Sequence, residues 1–193
     1  MPFAPPPTSA AWFHQVARSG FEVVHLRPVE DGHSLTGATT AVQDGLPWIV
    51  GYAIRIDASW RTRSAWVTAR SDTGSSTRLL ETDGQGRWTI DGEPAPHLDG
   101  CLDVDLESSA LTNALPVHRL ELAVGAAAQA PAAYVRAPDL TVARLEQHYS
   151  RTSDHGGRQR YDYTAPAFDF SSSLEYAAAG LIVAYPGIAV RAH

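Results

Sequence analysis

The sequence predicts an all-β protein, an antiparallel meander curved into a half-barrel or open barrel with room for one short helix. Three observations lead there. Apolar residues alternate instead of recurring at helical spacing, turn signals interrupt them every several residues, and on the order of a dozen such runs follow one another, more than the usual quarter of residues in strands. In LPWIVGYAIRID, Trp48, Val50, Tyr52, Ile54 and Ile56 share one face, while Ile49, Gly51, Ala53, Arg55 and Asp57 share the other.

Residues 1–19 read as a flexible Pro-rich lead and 20–193 as one β domain. Within the lead, TSAAWFHQVAR also has a helical reading, with Ser9 as N-cap and Gly20 as stop. HSLTGATTAVQ pairs with the 46–57 run across Asp44-Gly45, a strong hairpin signal. After Asp57-Ala58-Ser59, WRTRSAWVTAR forms a long strand with Arg61 and Arg63 on the face of Ala65 and Val67. TRLLETDGQGRWTIDG is a hairpin turning at 83–86. Strands then follow near 102–106, 117–124, 132–136 and 140–149. The last has a helix-compatible composition, but its alternation continues the rhythm of the meander. Beyond the polar break SDHGGRQ come RYDYT, AFDF, SLEY, LIVAY and IAVRA.

The chain has 193 residues and 44% hydrophobic content, which suits one soluble domain with a buried core. The net charge is −6, and all 15 basic residues are arginine. The absence of lysine excludes a Schiff-base or P-loop lysine, and the scattered arginines make no phosphate-tracking stripe, which argues against a nucleic-acid partner. The opening MPFAPPPTSAAWFHQ has neither a basic n-region nor an apolar h-region, so a cytoplasmic protein is expected. The charge-free stretches 122–135 and 177–190 are shorter than the ~20 residues of a spanning helix, so no transmembrane segment is expected.

Chemistry-bearing residues concentrate in GCLDVDLESSALTNALPVHRLEL, residues 100–122. On a strand, Cys101, Asp103 and Asp105 share one face, and Leu102, Val104 and Leu106 the other. If VHRLELAV pairs with it across 107–116, Arg119 falls on the aspartate side and takes a carboxylate in bidentate fashion. Metal binding by Asp103 and Asp105 would need more oxygen ligands than the neighbourhood supplies. As a glycosidase pair they fail, because neighbours on one strand do not flank a bond from opposite sides. No HExxH, GxSxG or GxGxxG occurs, and Cys101 reads as a packed core thiol. No cofactor, metal or catalytic residue is expected. Asn113 and Pro116 read as turn chemistry.

Several pieces of the chain together resemble one family. They are Gly20-Phe21-Glu22, Asp57 with Trp60-Arg61-Thr62-Arg63, Trp88 with Asp91-Gly92, GCLDVDL, TNALPVHRL, Gln147-His148-Tyr149, Tyr161, Phe168 and GLIVAYPG. The order and spacing from about Gly20 to Arg191 resemble the bacterial putative glycolipid-binding proteins, a domain of unknown function. The resemblance implies a half-barrel like that of the bacterial lipoprotein carriers, which shelter acyl chains in a concave sheet, and implies non-catalytic lipid or glycolipid binding. The Pro-rich lead departs from the family's usual short opening, and the chain lacks the secretion signal of the lipoprotein carriers.

The leading expectation is therefore a lipid or glycolipid ligand on the concave face, contacted by Trp60, Arg61, Arg63, Asp103, Asp105, Arg119 and Tyr149. The arginines would hold an anionic or hydroxylated headgroup, and the aromatic rings would stack on sugar or acyl surface. One alternative is a small-molecule enzyme with Asp103 or Asp105 as general base and Arg119 as clamp, which requires one aspartate in a closed pocket with a raised pKa. Another is a structural or oligomer-forming domain with no pocket. The sequence does not fix the oligomeric state.

Overall fold

In the computed structural model, which describes residues 3–193, the alternation of the sequence becomes a one-sided sheet. In chain order β1 (Ser9–His14), β2 (Ser19–Val29), β3 (Gly32–Gln43), β4 (Leu46–Asp57), β5 (Thr62–Ser71), β6 (Gly74–Thr82), β7 (Trp88–Ile90) and β8 (Glu93–Pro94) form an antiparallel meander. The two-residue turn Asp44-Gly45 joins β3 to β4, with both residues at positive φ, as expected of a tight hairpin. The β6–β7 hairpin also forms, with Asp83 Oδ1 accepting from the Gln85 and Arg87 amides at its tip.

The chain then leaves this sheet through β9 (Asp103–Leu106) and the helix α1 (Ala114–Leu120). It returns through β10 (Ala127–Gln129), β11 (Ala132–Val135), β12 (Val142–Leu145), β13 (His148–His155), β14 (Arg158–Ala165), β15 (Phe170–Tyr176), β16 (Ile182–Tyr185) and β17 (Ala189–Arg191). The large sheet runs β10-β13-β14-β15-β16-β17-β1-β2-β3-β4-β5-β6-β7-β8, an open curved sheet with β10 and β8 at its edges. A second sheet holds β12, β11 and β9, with β9 parallel to β11. No described helix is long and apolar enough to cross a membrane.

Three expectations are corrected. The segment 1–19, expected to be a lead with a helical alternative, contains β1; its first two residues lie outside the described residues. This strand pairs with β2 on one side and β17 on the other and joins the two halves of the meander, and Trp12 is fully buried. Its backbone groups find partners on both sides, which a helix in this gap would leave unpaired.

The strand expected over 117–124 is instead α1 up to Leu120. Pro116 stands in the first turn, where its missing N–H costs nothing, and Glu121 at φ 43° ends the helix in the left-handed region. Ala114, Leu115 and Val117 are all fully buried, so the helix has no amphipathic pattern to betray it.

The third correction concerns Arg63. Arg55 pairs with Ser64 but Ile56 with Thr62, so Arg63 is the extra residue of a β-bulge. The side-chain alternation resets there, leaving Ala65 and Val67 buried and Arg63 exposed.

Residues 101–120 lie across the inner face of the large sheet. Trp88 Nε1 donates to the Cys101 carbonyl (2.9 Å), and the Val104 amide donates to Thr62 Oγ1 (2.9 Å). Thr39 Oγ1 donates to the Ser108 carbonyl (2.7 Å), and Tyr176 OH to the Asn113 carbonyl (3.1 Å). Strands from β3 to β15 thus hold one segment, and much of the concavity is filled by the chain itself.

Candidate functional site

At the end of the sheet where β1 turns into β2 and β3 into β4, the plug leaves a pocket of about 260 Å³. β9 delivers Asp105 to it, and the turn that follows delivers Glu107 and Ser109. Period-2 alternation on β14 turns Tyr161 and Tyr163 inward, and Tyr163 reaches the pocket. Phe170 at the start of β15 and Tyr185 at the end of β16 complete a wall. Ring centroids there are 6.2 Å apart for Tyr163–Phe170, 6.1 Å for Tyr163–Tyr185 and 6.0 Å for Phe170–Tyr185. Tyr134 and the half-exposed Phe168, 5.4 Å apart, line the mouth.

Beside the wall is a polar pole. Asp105 accepts from Thr112 Oγ1 (2.8 Å) and Gln147 Nε2 (2.5 Å), and Gln147 also donates to Tyr163 OH (3.0 Å). Burial pushes the Asp105 carboxyl up to about 6, against the pull of its two hydrogen-bond donors. Burial likewise pushes the Tyr134, Tyr163 and Tyr185 hydroxyls upward, so they stay protonated. Arg18, from the β1–β2 loop, supplies a buried cation to the same space. An aromatic wall beside hydroxyl, amide and carboxyl groups is the chemistry that receives a ring with one apolar face and a hydroxylated edge.

Among the residues expected from sequence, Asp105 lines this pocket. Tyr149 lies beneath it, fully buried, with its hydroxyl donating to Asn113 Oδ1 (3.1 Å). Asp103, two residues earlier on the same strand, does not line the pocket and is held by Arg119, whose Nη2 is 2.6 Å from Oδ2. Trp60, Arg61 and Arg63 gather at the opposite end of β4 and β5. There Trp60 stacks on His118 (centroids 3.5 Å apart, planes at 5°), while Arg61 Nη1 reaches the Gly84 carbonyl at 3.4 Å. The pocket also uses Arg18, Tyr134, Tyr163, Phe170 and Tyr185, none of them chosen from sequence. The inward alternation of RYDYT and the Tyr185-Pro186-Gly187 run were the available signals.

Cys101 is fully buried, and burial pushes its thiol up to about 11, so it packs as a neutral thiol. Among the described residues no three His, Cys, Asp or Glu side chains gather as a metal site.

A family model described as "Putative glycolipid-binding" matches residues 9–191. The crystal structure of a DUF1089 family protein from Pseudomonas aeruginosa is similar, at 35% identity and a TM-score of 0.77, over 88% of this chain and 90% of that one. Among curated proteins there is no match.

Proposed function

This chain belongs to the putative glycolipid-binding family, and from that premise we propose that its end pocket receives the sugar part of a glycolipid. The observation that carries the reading is that the wall of Tyr163, Phe170 and Tyr185 and the polar group Asp105 line one pocket of about 260 Å³. Pockets for drug-sized ligands span ~300–1,000 Å³, so this one takes a single ring-sized group and leaves the bulk of an acyl chain outside. The filled concavity supports the same division: residues 101–120 occupy the inner face, and the exposed Phe168 stands where a chain would leave the mouth. Asp105 is the proposed polar contact, and Tyr149 acts on the pocket floor through Asn113.

A test uses n-octyl β-D-glucoside below its micellar concentration, with n-octanol as the apolar control. The glucoside should raise the melting temperature more than octanol does, and Phe170→Ala should abolish the difference. Equal shifts from both compounds, or an undiminished glucoside effect in Phe170→Ala, would sink the reading.

One observation favours a second reading, in which the pocket does chemistry. Asp105 and Glu107 both line it, and the Asp105 carboxyl at about 6 is suited to proton transfer near neutrality. This reading expects release of p-nitrophenol from some member of a p-nitrophenyl glycoside panel, and loss of that release in Asp105→Asn. If no member of the panel turns over, it has no support.

A further inference from the structure

Arg18 is 6% exposed, yet it lines the pocket. Among the described residues, neither its Nε nor its Nη1 hydrogen bonds to a protein group. The nearest carboxylate, Glu107, stays 4.0 Å from Nη2, and that residue's other oxygen accepts the Ala137 amide (3.0 Å). The guanidinium carbon is 5.6 Å from the centroid of the Trp48 ring, a cation–π contact that satisfies no N–H. Arginine does not shed its charge, and leaving its donors unmade in a poorly solvated site is costly. A planar fork of donors on a buried residue that lines a pocket matches a carboxylate or a phosphate.

We propose that the pocket's ligand carries an oxyanion, a carboxylate or phosphate borne on the hydroxylated ring, and that Arg18 receives it through paired hydrogen bonds. This deepens the sugar-binding reading and rests on it. The groups facing Arg18 set the terms. The Tyr134 and Tyr185 hydroxyls add donors. Glu107, 4.0 Å from Nη2, repels the anion and sets which edge of the fork, Nε with Nη2 or Nη1 with Nη2, receives it. Asp105 repels it only when ionised, so binding strengthens as pH falls from 7 toward 5 while the ligand's own anion stays charged.

Calorimetric titrations with D-glucuronate, D-glucose 6-phosphate, D-glucose and inorganic phosphate test this, with octyl glucoside as reference. The wild type should bind at least one acidic sugar roughly 10- to 100-fold more tightly than glucose, the range expected of hydrogen bonds to a charged group. Arg18→Met should erase that preference, read as the ratio of acidic-sugar to glucose affinity within the variant. Arg18→Lys retains the charge without the fork; it should fall between the two and serves as the readout if Arg18→Met does not fold. Glucose matching both acidic sugars in the wild type, or an unchanged preference in the variants, overturns the inference. So does inorganic phosphate binding as tightly as the sugar phosphate, which would make the ligand a free ion. If octyl glucoside itself has no effect, the sugar-binding reading fails first; if octyl glucoside binds and no acid preference appears, this inference fails alone.

Discussion

Arg119 of α1 grips Asp103 of β9 through two parallel hydrogen bonds, Nε to Oδ1 at 3.1 Å and Nη2 to Oδ2 at 2.6 Å. Asp103 is buried and Arg119 partly so, and burial pushes the Asp103 carboxyl upward more strongly than the guanidinium pulls it down. The pair closes residues 103–119 into a loop whose ends are clamped, which fixes the plug against the sheet.

Removing half of such a pair leaves a buried charge without its partner. Arg119→Met should therefore cost about 3–5 kcal/mol in urea unfolding. The double variant Asp103→Leu/Arg119→Met should recover most of that loss, because two apolar groups leave no orphan. A double variant as unstable as the single one would mean that the pair does more than neutralise itself.

The Asp103–Arg119 contact was legible from residue types alone, although its geometry was not. Strand alternation placed both groups on one side, but Arg119 arrives from a helix. That helix is seven residues long, contains Pro116 and is buried continuously from Ala114 to His118, so it shows no helical periodicity. Arg63 was misplaced because a bulge resets the alternation and leaves no mark in composition. The long hairpins of β3 to β6 were readable because Asp44-Gly45 and the flanking alternation are local signals. The pocket was not, since Arg18, Tyr134, Tyr163 and Tyr185 meet only after the sheet has curved. Asp105 was singled out beside Asp103, yet nothing in CLDVDL says which of two equivalent aspartates will find the arginine.

Glu22 on β2 is the second clamp of the plug. Its fully buried carboxylate accepts from Tyr52 OH (2.6 Å), the Ala110 amide (2.8 Å) and the Ser109 hydroxyl, with His14 Nε2 3.5 Å away. Glu22→Gln puts a donor where at least one of these donors points. It should cost roughly 1–3 kcal/mol and speed amide exchange at 108–113 ahead of the sheet strands. Uniform acceleration across the molecule would contradict a local clamp.

Gly180 adopts φ 67°, and a Cβ there would come within 2.2 Å of His118 Nε2. The imidazole has little room to retreat, being stacked on Trp60 and packed by Phe3, with Nε2 3.2 Å from the Ala179 carbonyl. Gly180→Ala therefore combines backbone strain with a clash and should lower stability by about 2–4 kcal/mol. His118→Ala/Gly180→Ala should lose less than the sum of the two single variants, because removing the ring removes the clash. Strict additivity in thermal melts would show that backbone strain alone is responsible.

Asp105 makes stability depend on pH in a direction opposite to that of a salt-bridged carboxylate. Its carboxyl is pushed up to about 6 in the folded protein, against ~3.9 for an unfolded aspartate. Below about pH 4 it is protonated in both states and exerts no penalty. Between about pH 4 and 6 the unfolded chain releases this proton first, so folding loses stability as pH rises; the loss is complete above about 6. At ~1.4 kcal/mol per unit, the two-unit gap is worth up to about 3 kcal/mol. Asp105→Asn should thus melt higher than the wild type at pH 7.5, and the gap should close as pH approaches 4. An acidic sugar seated on Arg18 would raise the Asp105 carboxyl further by repulsion, so its binding should take up a fraction of a proton near pH 6.5, measurable as buffer-dependent heats. Melting curves whose difference is independent of pH would show that Asp105 is not the group buried in its charged form.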